Sequence, residues 1–169
     1  MSKVSRSVAI SAPVEAVFAY YARPEHIAKT FPEDIGMKVI PLRVTEGFGI
    51  GTIFRISGEF GGKHLEWDME TVAYQPNQTI QVKAINGPFK KNVITVLFEQ
   101  AQPGKKETKL TFEADYDLGY GLIGKSIDKL RIKKEVEMGI ERSCASVKRF
   151  IDAGKSPNQV EAELSIPLN

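Results

Sequence analysis

With 169 residues, 42% of them hydrophobic and 26% charged, the chain suits one globular domain with a core and room for an internal cavity. Twenty-three basic residues against twenty-one acidic ones leave a formal charge of +2, too even a balance to point to nucleic acid. The one cysteine, Cys144, excludes an internal disulfide; with no apolar leader at the start and no run near the ~18 apolar residues that span a bilayer, a cytoplasmic location is expected.

Residues 3–11 alternate Val4, Arg6, Val8 and Ile10 with Lys3, Ser5, Ser7 and Ala9, which predicts a strand. A helix comes next, with Ser11 as its cap, Pro13 in the first turn and Glu15 near the positive end of the dipole. Val14, Val17, Phe18 and Tyr21 give it an apolar face. Arg23 and Pro24 interrupt it, a second short helix is predicted over 24–30, and residues 31–34 close the pair.

From Met37 the period of the pattern changes to two. Strands are predicted over 37–45, 52–60, 63–74, 79–85, 92–100 and 108–118, joined by a loop at 46–51 and by turns at Gly61-Gly62, Pro76-Asn77, Gly87-Pro88 and Pro103-Gly104. Short connections of this kind predict an antiparallel meander, seven strands in all.

Residues 122–153 read as a long helix. Ile132, Val136, Ile140, Cys144, Val147 and Ile151 fall three or four residues apart on one side, while Lys133, Lys134, Glu137, Glu141, Arg142, Lys148, Arg149 and Asp152 take the other. Lys133 and Glu137, one turn apart, are expected to pair weakly. Gly154 and Pro157 suit a helix stop. Ile123, Ile127 and Leu130 form a stripe of nearly opposite phase, which predicts a kink or break near Leu130 to Ile132. Residues 155–169 read as a polar tail, in which the alternation of Leu164, Ile166 and Leu168 would let it pair with a sheet edge or a partner protein.

The opening Val8-Ala9-Ile10-Ser11-Ala12-Pro13-Val14-Glu15-Ala16-Val17-Phe18, Gly51-Thr52 leading into a strand, Pro76 between two strands and the closing amphipathic helix together resemble the START-like superfamily, also called SRPBCC. Within it the resemblance is to the polyketide cyclase/dehydrase and lipid transport group, and it covers nearly all of residues 1–154 as a single domain. The resemblance implies an α+β helix-grip fold: a curved seven-stranded antiparallel sheet wrapped around a long C-terminal helix, two short helices after the first strand, and a cavity between sheet and helix. It carries no catalytic residue across, because the superfamily includes lipid carriers, quinone-binding proteins, cyclases, hydroxylase subunits and chaperone activators. A strongly twisted antiparallel sheet does curl, and one helix cannot fill its concave face.

Alternation assigns the faces. Leu110, Phe112, Ala114, Tyr116 and Leu118 point inward and Lys109, Thr111, Glu113, Asp115 and Asp117 outward. By the same rule the ligand-cavity candidates are Phe54, Ile56, Phe60, Trp67, Met69, Thr71, Val82, Ile94, Val96, Phe98, Phe112 and Tyr116 from the strands, with Val136 and Ile140 from the helix. Packed core is the plain alternative for each of them singly. Taken together they form a concave apolar wall with Trp67, Tyr116 and Thr71 as polar handles, suited to a hydrophobic or aromatic ligand with one or two oxygens. His26 and His64 are expected on the surface, and without Cys/His clustering neither a metal nor another cofactor is expected.

Gly119 to Ser126 matches the phosphate-loop pattern G-x-x-x-x-G-K-[ST] letter for letter, and Gly119, Gly121 and Gly124 have G-x-G-x-x-G spacing. Both motifs need a buried parallel strand before them and further βα units after them. An amphipathic antiparallel strand precedes this one, so the segment reads instead as a flexible lead-in to the helix.

Three functions stay open. The first is binding or carriage of a small hydrophobic molecule such as a lipid, a quinone or a polyketide-like aromatic. The second is a cyclase/dehydrase-type enzyme, for which Tyr116, Arg55 or His64 would have to reach the cavity. The third is a regulator that binds a protein partner through the sheet or the tail.

Overall fold

The computed structural model describes residues 2–28, 35–60, 62–119 and 129–152. Seven strands form one antiparallel sheet: β1 (Ser2–Ile10), β2 (Lys38–Arg43), β3 (Ile53–Phe60), β4 (Lys63–Gln75), β5 (Thr79–Ala84), β6 (Phe89–Gln100) and β7 (Thr108–Leu118). Their spatial order is β1-β7-β6-β5-β4-β3-β2. The last strand closes on the first, so β1 and β2 are opposite edges, and the two short helices α1 (Val14–Tyr21) and α2 (Pro24–Ala28) lie between them in the chain. The long helix α3 (Lys129–Asp152) packs chiefly on β1. This is the helix-grip architecture.

Register settles which residues share a face, since directly opposed residues of an antiparallel pair lie on the same side. Phe54 opposes Met69, Ile56 opposes Trp67 and Gly58 opposes Leu65. Val82 opposes Ile94, and Ile80 opposes Val96. Val96 in turn opposes Phe112, and Phe98 opposes Leu110. All of these line the concave side. Three register shifts break the alternation, between Pro41 and Arg43, between Thr71 and Ala73 and between Phe89 and Lys91. An extra residue moves the side chains beyond it to the other face. Thr71 and Tyr74 thus both lie on the inner side, as does Phe89, which belongs to β6 although the predicted strand begins at Asn92.

α1 differs at its start from the expectation. Pro13, not Ser11, occupies the cap position, and no side chain caps the helix; the Pro13 carbonyl accepts from the Ala16 N–H at 3.0 Å. The helix is held by its buried face, Val17, Phe18, Tyr20 and Tyr21. Phe18 meets Phe98 edge-on at 5.1 Å and Tyr74 at 5.3 Å. His26, expected on the surface, is buried at 3% exposure: its Nδ1 lies 3.1 Å from the Tyr20 carbonyl, and the Tyr20 hydroxyl donates to the His26 carbonyl. Two short helices folded against each other enclose a side chain that a loop would have left wet.

On α3, Ile140, Cys144, Val147 and Ile151 are buried and Val136 is half-buried, in line with the predicted stripe. Transfer of one such aliphatic side chain from water is worth ~1.5–3 kcal/mol. The pair Lys133–Glu137 is 3.9 Å apart, and exposed pairs of that kind contribute ~0.3–0.5 kcal/mol. The apolar stripe therefore holds the helix, and the bonds from Arg6 to Glu141 (2.7 Å) and from Lys148 Nζ to the Ala9 carbonyl (2.6 Å) set its direction along β1. α3 is a single helix from Lys129, without a break at Leu130 to Ile132. The opposing stripe at Ile123 and Ile127, the stop at Gly154 and the tail 155–169 lie outside the described residues.

Burial pushes the Cys144 thiol up to about 11. Since the thiolate is the reactive species, an aromatic disulfide reagent is expected to label native protein at least ~100-fold more slowly than urea-unfolded protein; equal rates would contradict the burial.

β7 runs antiparallel to both neighbours, β1 and β6, so the phosphate-loop pattern lacks the parallel strand it needs. The Gly119 N–H donates to the Pro88 carbonyl at 3.1 Å, and residues 120–126 lie outside the described residues. Among the described residues no helix is long and apolar enough to cross a membrane.

Candidate ligand cavity

Among the described residues, two apolar cavities lie on the concave side. The larger, about 110 Å³, is walled by Phe54, Ile56, Trp67, Thr71, Ile80, Val82, Ile94, Val96 and Phe112 from the sheet; α1 and α2 contribute Tyr21, Pro24 and Ala28, with Ala22 between them, and Met37, Val39 and Phe48 complete the lining. The smaller, about 70 Å³, sits between sheet and α3 and is lined by Phe60, Leu65, Phe89, Asn92, Ala114, Tyr116, Val136 and Ile140 among others. Met37, Trp67, Ile94 and Phe112 border both. Either volume is several times the ~10–15 Å³ that one water needs.

Twelve of the fourteen cavity candidates thus line one cavity or the other. Met69 and Phe98 do not. Met69 is wholly buried in the cluster with Phe54, Ile56 and Trp67, and Phe98 is covered by Phe18 and Tyr21, so both are core. Alternation gives the face but not the depth of a side chain beneath the helices.

The wall also contains residues that sequence reasoning does not assign to a site. Tyr21 belongs to the predicted apolar helix face; its position in the last turn, just before the Arg23-Pro24 interruption, is the signal that it ends at an opening. Phe48 falls in the predicted loop. It comes directly after Gly47 in a short 3-10 turn between β2 and β3 and has a left-handed backbone, φ 58°, which a bulky residue rarely adopts. The turn is pinned at its base, where Thr45 Oγ1 lies 2.7 Å from Thr52 Oγ1 and donates to the Gly49 carbonyl at 2.9 Å. The Arg23 guanidinium lies over the Phe48 ring, 5.5 Å from its centroid, and so ties the helix pair to this turn across the rim of the cavity.

Trp67 stands between Phe60 (5.6 Å) and Phe89 (5.1 Å, nearly perpendicular). From the outer face its neighbour Asp68 locks the strand: Arg55 donates to both carboxylate oxygens at 2.7 and 3.1 Å, Asn86 Nδ2 donates at 2.6 Å, and Asn86 Oδ1 accepts from the Asp68 N–H at 2.7 Å. Arg55 first, and Asn86 with it, holds the Asp68 carboxyl below the usual carboxylate range against the opposing effect of burial. Because folding lowers this pKa, its stabilisation is complete above the ordinary aspartate value of ~3.9 and is lost as pH falls through the folded value below it. The urea midpoint of the native chain is therefore expected to fall more steeply than that of Asp68→Asn between about pH 5 and 3; parallel curves would refute the assignment.

Of the three side chains that acid–base chemistry would need inside, Tyr116 alone lies on the inner face. Arg55 faces outward onto Asp68 and Glu66, and His64 is an exposed partner of Glu59 at 2.8 Å. Burial pushes the phenols of Tyr21 and Tyr116 up, so both stay protonated at neutral pH. Among the described residues no three of His, Cys, Asp and Glu come together as metal ligands would.

Solved structures share this architecture. A protein from Thermus thermophilus superimposes with a TM-score of 0.72 at 18% identity, over 92% of this chain and 100% of its own. The Zhui aromatase/cyclase of a Streptomyces species gives 0.68 at 16% identity, over 92% and 98%. A START superfamily protein from Mycobacterium smegmatis gives 0.66 at 15%, over 90% and 99%. At these identities the likeness is one of fold. No curated protein matches in sequence. The sequence model for polyketide cyclase / dehydrase and lipid transport, however, matches residues 1–150, and on that match the chain belongs to this family.

Proposed function

We propose that the protein binds and carries a small hydrophobic molecule, of lipid, quinone or polyketide-like aromatic class, in the paired cavities of its concave face. The observation that carries this reading is a wall built from six adjacent strands, β2 to β7, and the three helices that encloses space instead of packing shut, with apolar side chains almost throughout. Interiors ordinarily pack to the density of organic crystals, and a void of this size is costly to keep unless something fills it. The family description couples cyclase and dehydrase activity with lipid transport. Carriage is favoured because the described wall offers hydrogen-bonding groups that keep their protons at neutral pH and no group that exchanges them there. The cyclase reading would rest on Tyr116 alone. The cytoplasm, where Cys144 stays reduced, is the compartment we assign.

Native mass spectrometry of freshly purified protein, followed by solvent extraction of whatever is bound, tests the proposal. A stoichiometric hydrophobic ligand is the expected result. An empty protein that also takes up nothing from a lipid and quinone panel would overturn it and favour a partner-binding domain whose tail or sheet edge makes the contact.

A further inference from the structure

Two polar atoms on side chains of the larger cavity's wall are unpaired among the described residues. Tyr21 Oη and Trp67 Nε1 are buried, on residues 4% and 5% exposed, and neither meets a hydrogen-bond partner among the described residues. Buried polar groups in native proteins are paired in the great majority, so two orphans on one wall ask for a cause. Neither ring can swing to solvent without repacking. Tyr21 is edge-on to Tyr20 at 5.6 Å and to Phe98 at 5.9 Å, and Trp67 is fixed by Phe60, Phe89 and the turn at Gly87.

The chemistry of the two groups narrows their partner. An indole N–H can only donate, so what it meets must be an acceptor; a phenol can donate to the same acceptor or to a second one. The rest of the lining is apolar except for Thr71, and none of its side chains is charged. A carboxylate or phosphate drawn inside would lose its hydration with no cation to compensate. The nearby Arg23 at the rim is already engaged, over the Phe48 ring and 3.6 Å from Glu25.

We infer that the ligand is uncharged and carries an acceptor oxygen of carbonyl type, received by the indole N–H of Trp67 with the Tyr21 hydroxyl as second donor, its hydrocarbon part lying on the apolar wall. The inference rests on the reading of this cavity as the ligand site. It excludes fatty acids and phospholipid head groups from the interior and selects ketones, quinones and neutral aromatic carbonyl compounds.

Three probes of one size separate the possibilities by isothermal titration: 2-acetylnaphthalene, 2-ethylnaphthalene and 2-naphthoate. In the unmodified protein the ketone is expected to bind about tenfold tighter than the hydrocarbon, the advantage a well-made buried hydrogen bond gives, and the anion weakest of the three. In Trp67→Phe and in Tyr21→Phe the ratio of ketone to hydrocarbon affinity shrinks toward one. Tyr21→Phe keeps every ring contact, so it serves even if Trp67→Phe folds poorly. Equal binding of ketone and hydrocarbon, or naphthoate as the tightest of the three, would overturn this inference and leave the cavity a ligand site. Failure of all three to bind would overturn the cavity reading and this inference with it.

Discussion

Gly87→Ala should destabilise the fold by about 2–6 kcal/mol, a large loss for the addition of one methyl group. Gly87 has φ +101°, where side-chain-bearing residues are strained, and a Cβ built on it would lie 2.4 Å from the Trp67 Cβ and 3.1 Å from the Trp67 Cα and the Glu66 carbonyl. The neighbours that would have to yield are backbone and the root of a side chain, not a flexible tip. Backbone strain costs ~1–3 kcal/mol and overpacking another ~1–3. Gly62 separates the two terms. Its φ is +77° but a Cβ there meets nothing within 4 Å, so Gly62→Ala bears the backbone cost alone, ~1 kcal/mol. Urea denaturation of the two variants followed by circular dichroism measures the difference; equal losses would show that the Gly87 turn does not press on Trp67.

The second large effect is on binding. Val82 is on the inner face opposite Thr71 and Ile94 and lines the larger cavity. Val82→Phe puts a ring into space already vacant, so stability should move by no more than ~1 kcal/mol while the affinity for a hydrophobic probe such as 2-acetylnaphthalene drops ~10–100-fold. Leu110→Ala is the converse. Leu110 is wholly buried and borders neither cavity, so its truncation should cost ~2–5 kcal/mol of stability and leave the affinity of the folded fraction unchanged. Titration and urea denaturation on both variants give the full pattern, and a Val82→Phe protein that binds as before would locate the ligand elsewhere.

Period is the signal by which the sequence disclosed its architecture. The uninterrupted alternation from Leu110 to Leu118 and the three-and-four spacing from Val136 to Ile151 each put a face toward the interior, and both faces are where the pattern places them. Period fails where one residue is added. The bulges at Thr71/Ala73 and Phe89/Lys91 bring Tyr74 and Phe89 inward, and nothing in the local composition marks them. Depth is equally invisible: Met69 and Phe98 have the same character as Ile56 and Val96, and only the helices above decide which of them meet a cavity. Tyr21 and Phe48 escape sequence reasoning for a different reason. Their role depends on two segments distant in sequence meeting at a rim, and His26 becomes buried through a similar local closure.

Trp67 is the only tryptophan in the chain, and it borders both cavities. Indole emission is sensitive to the polarity and quenching power of its immediate surroundings, and in this molecule every photon of it originates at the boundary between the two chambers. The protein is thus its own optical sensor. A guest arriving on either side replaces what touches the ring and shifts the emission, so occupancy can be followed in real time without a label and without altering the wall that does the binding.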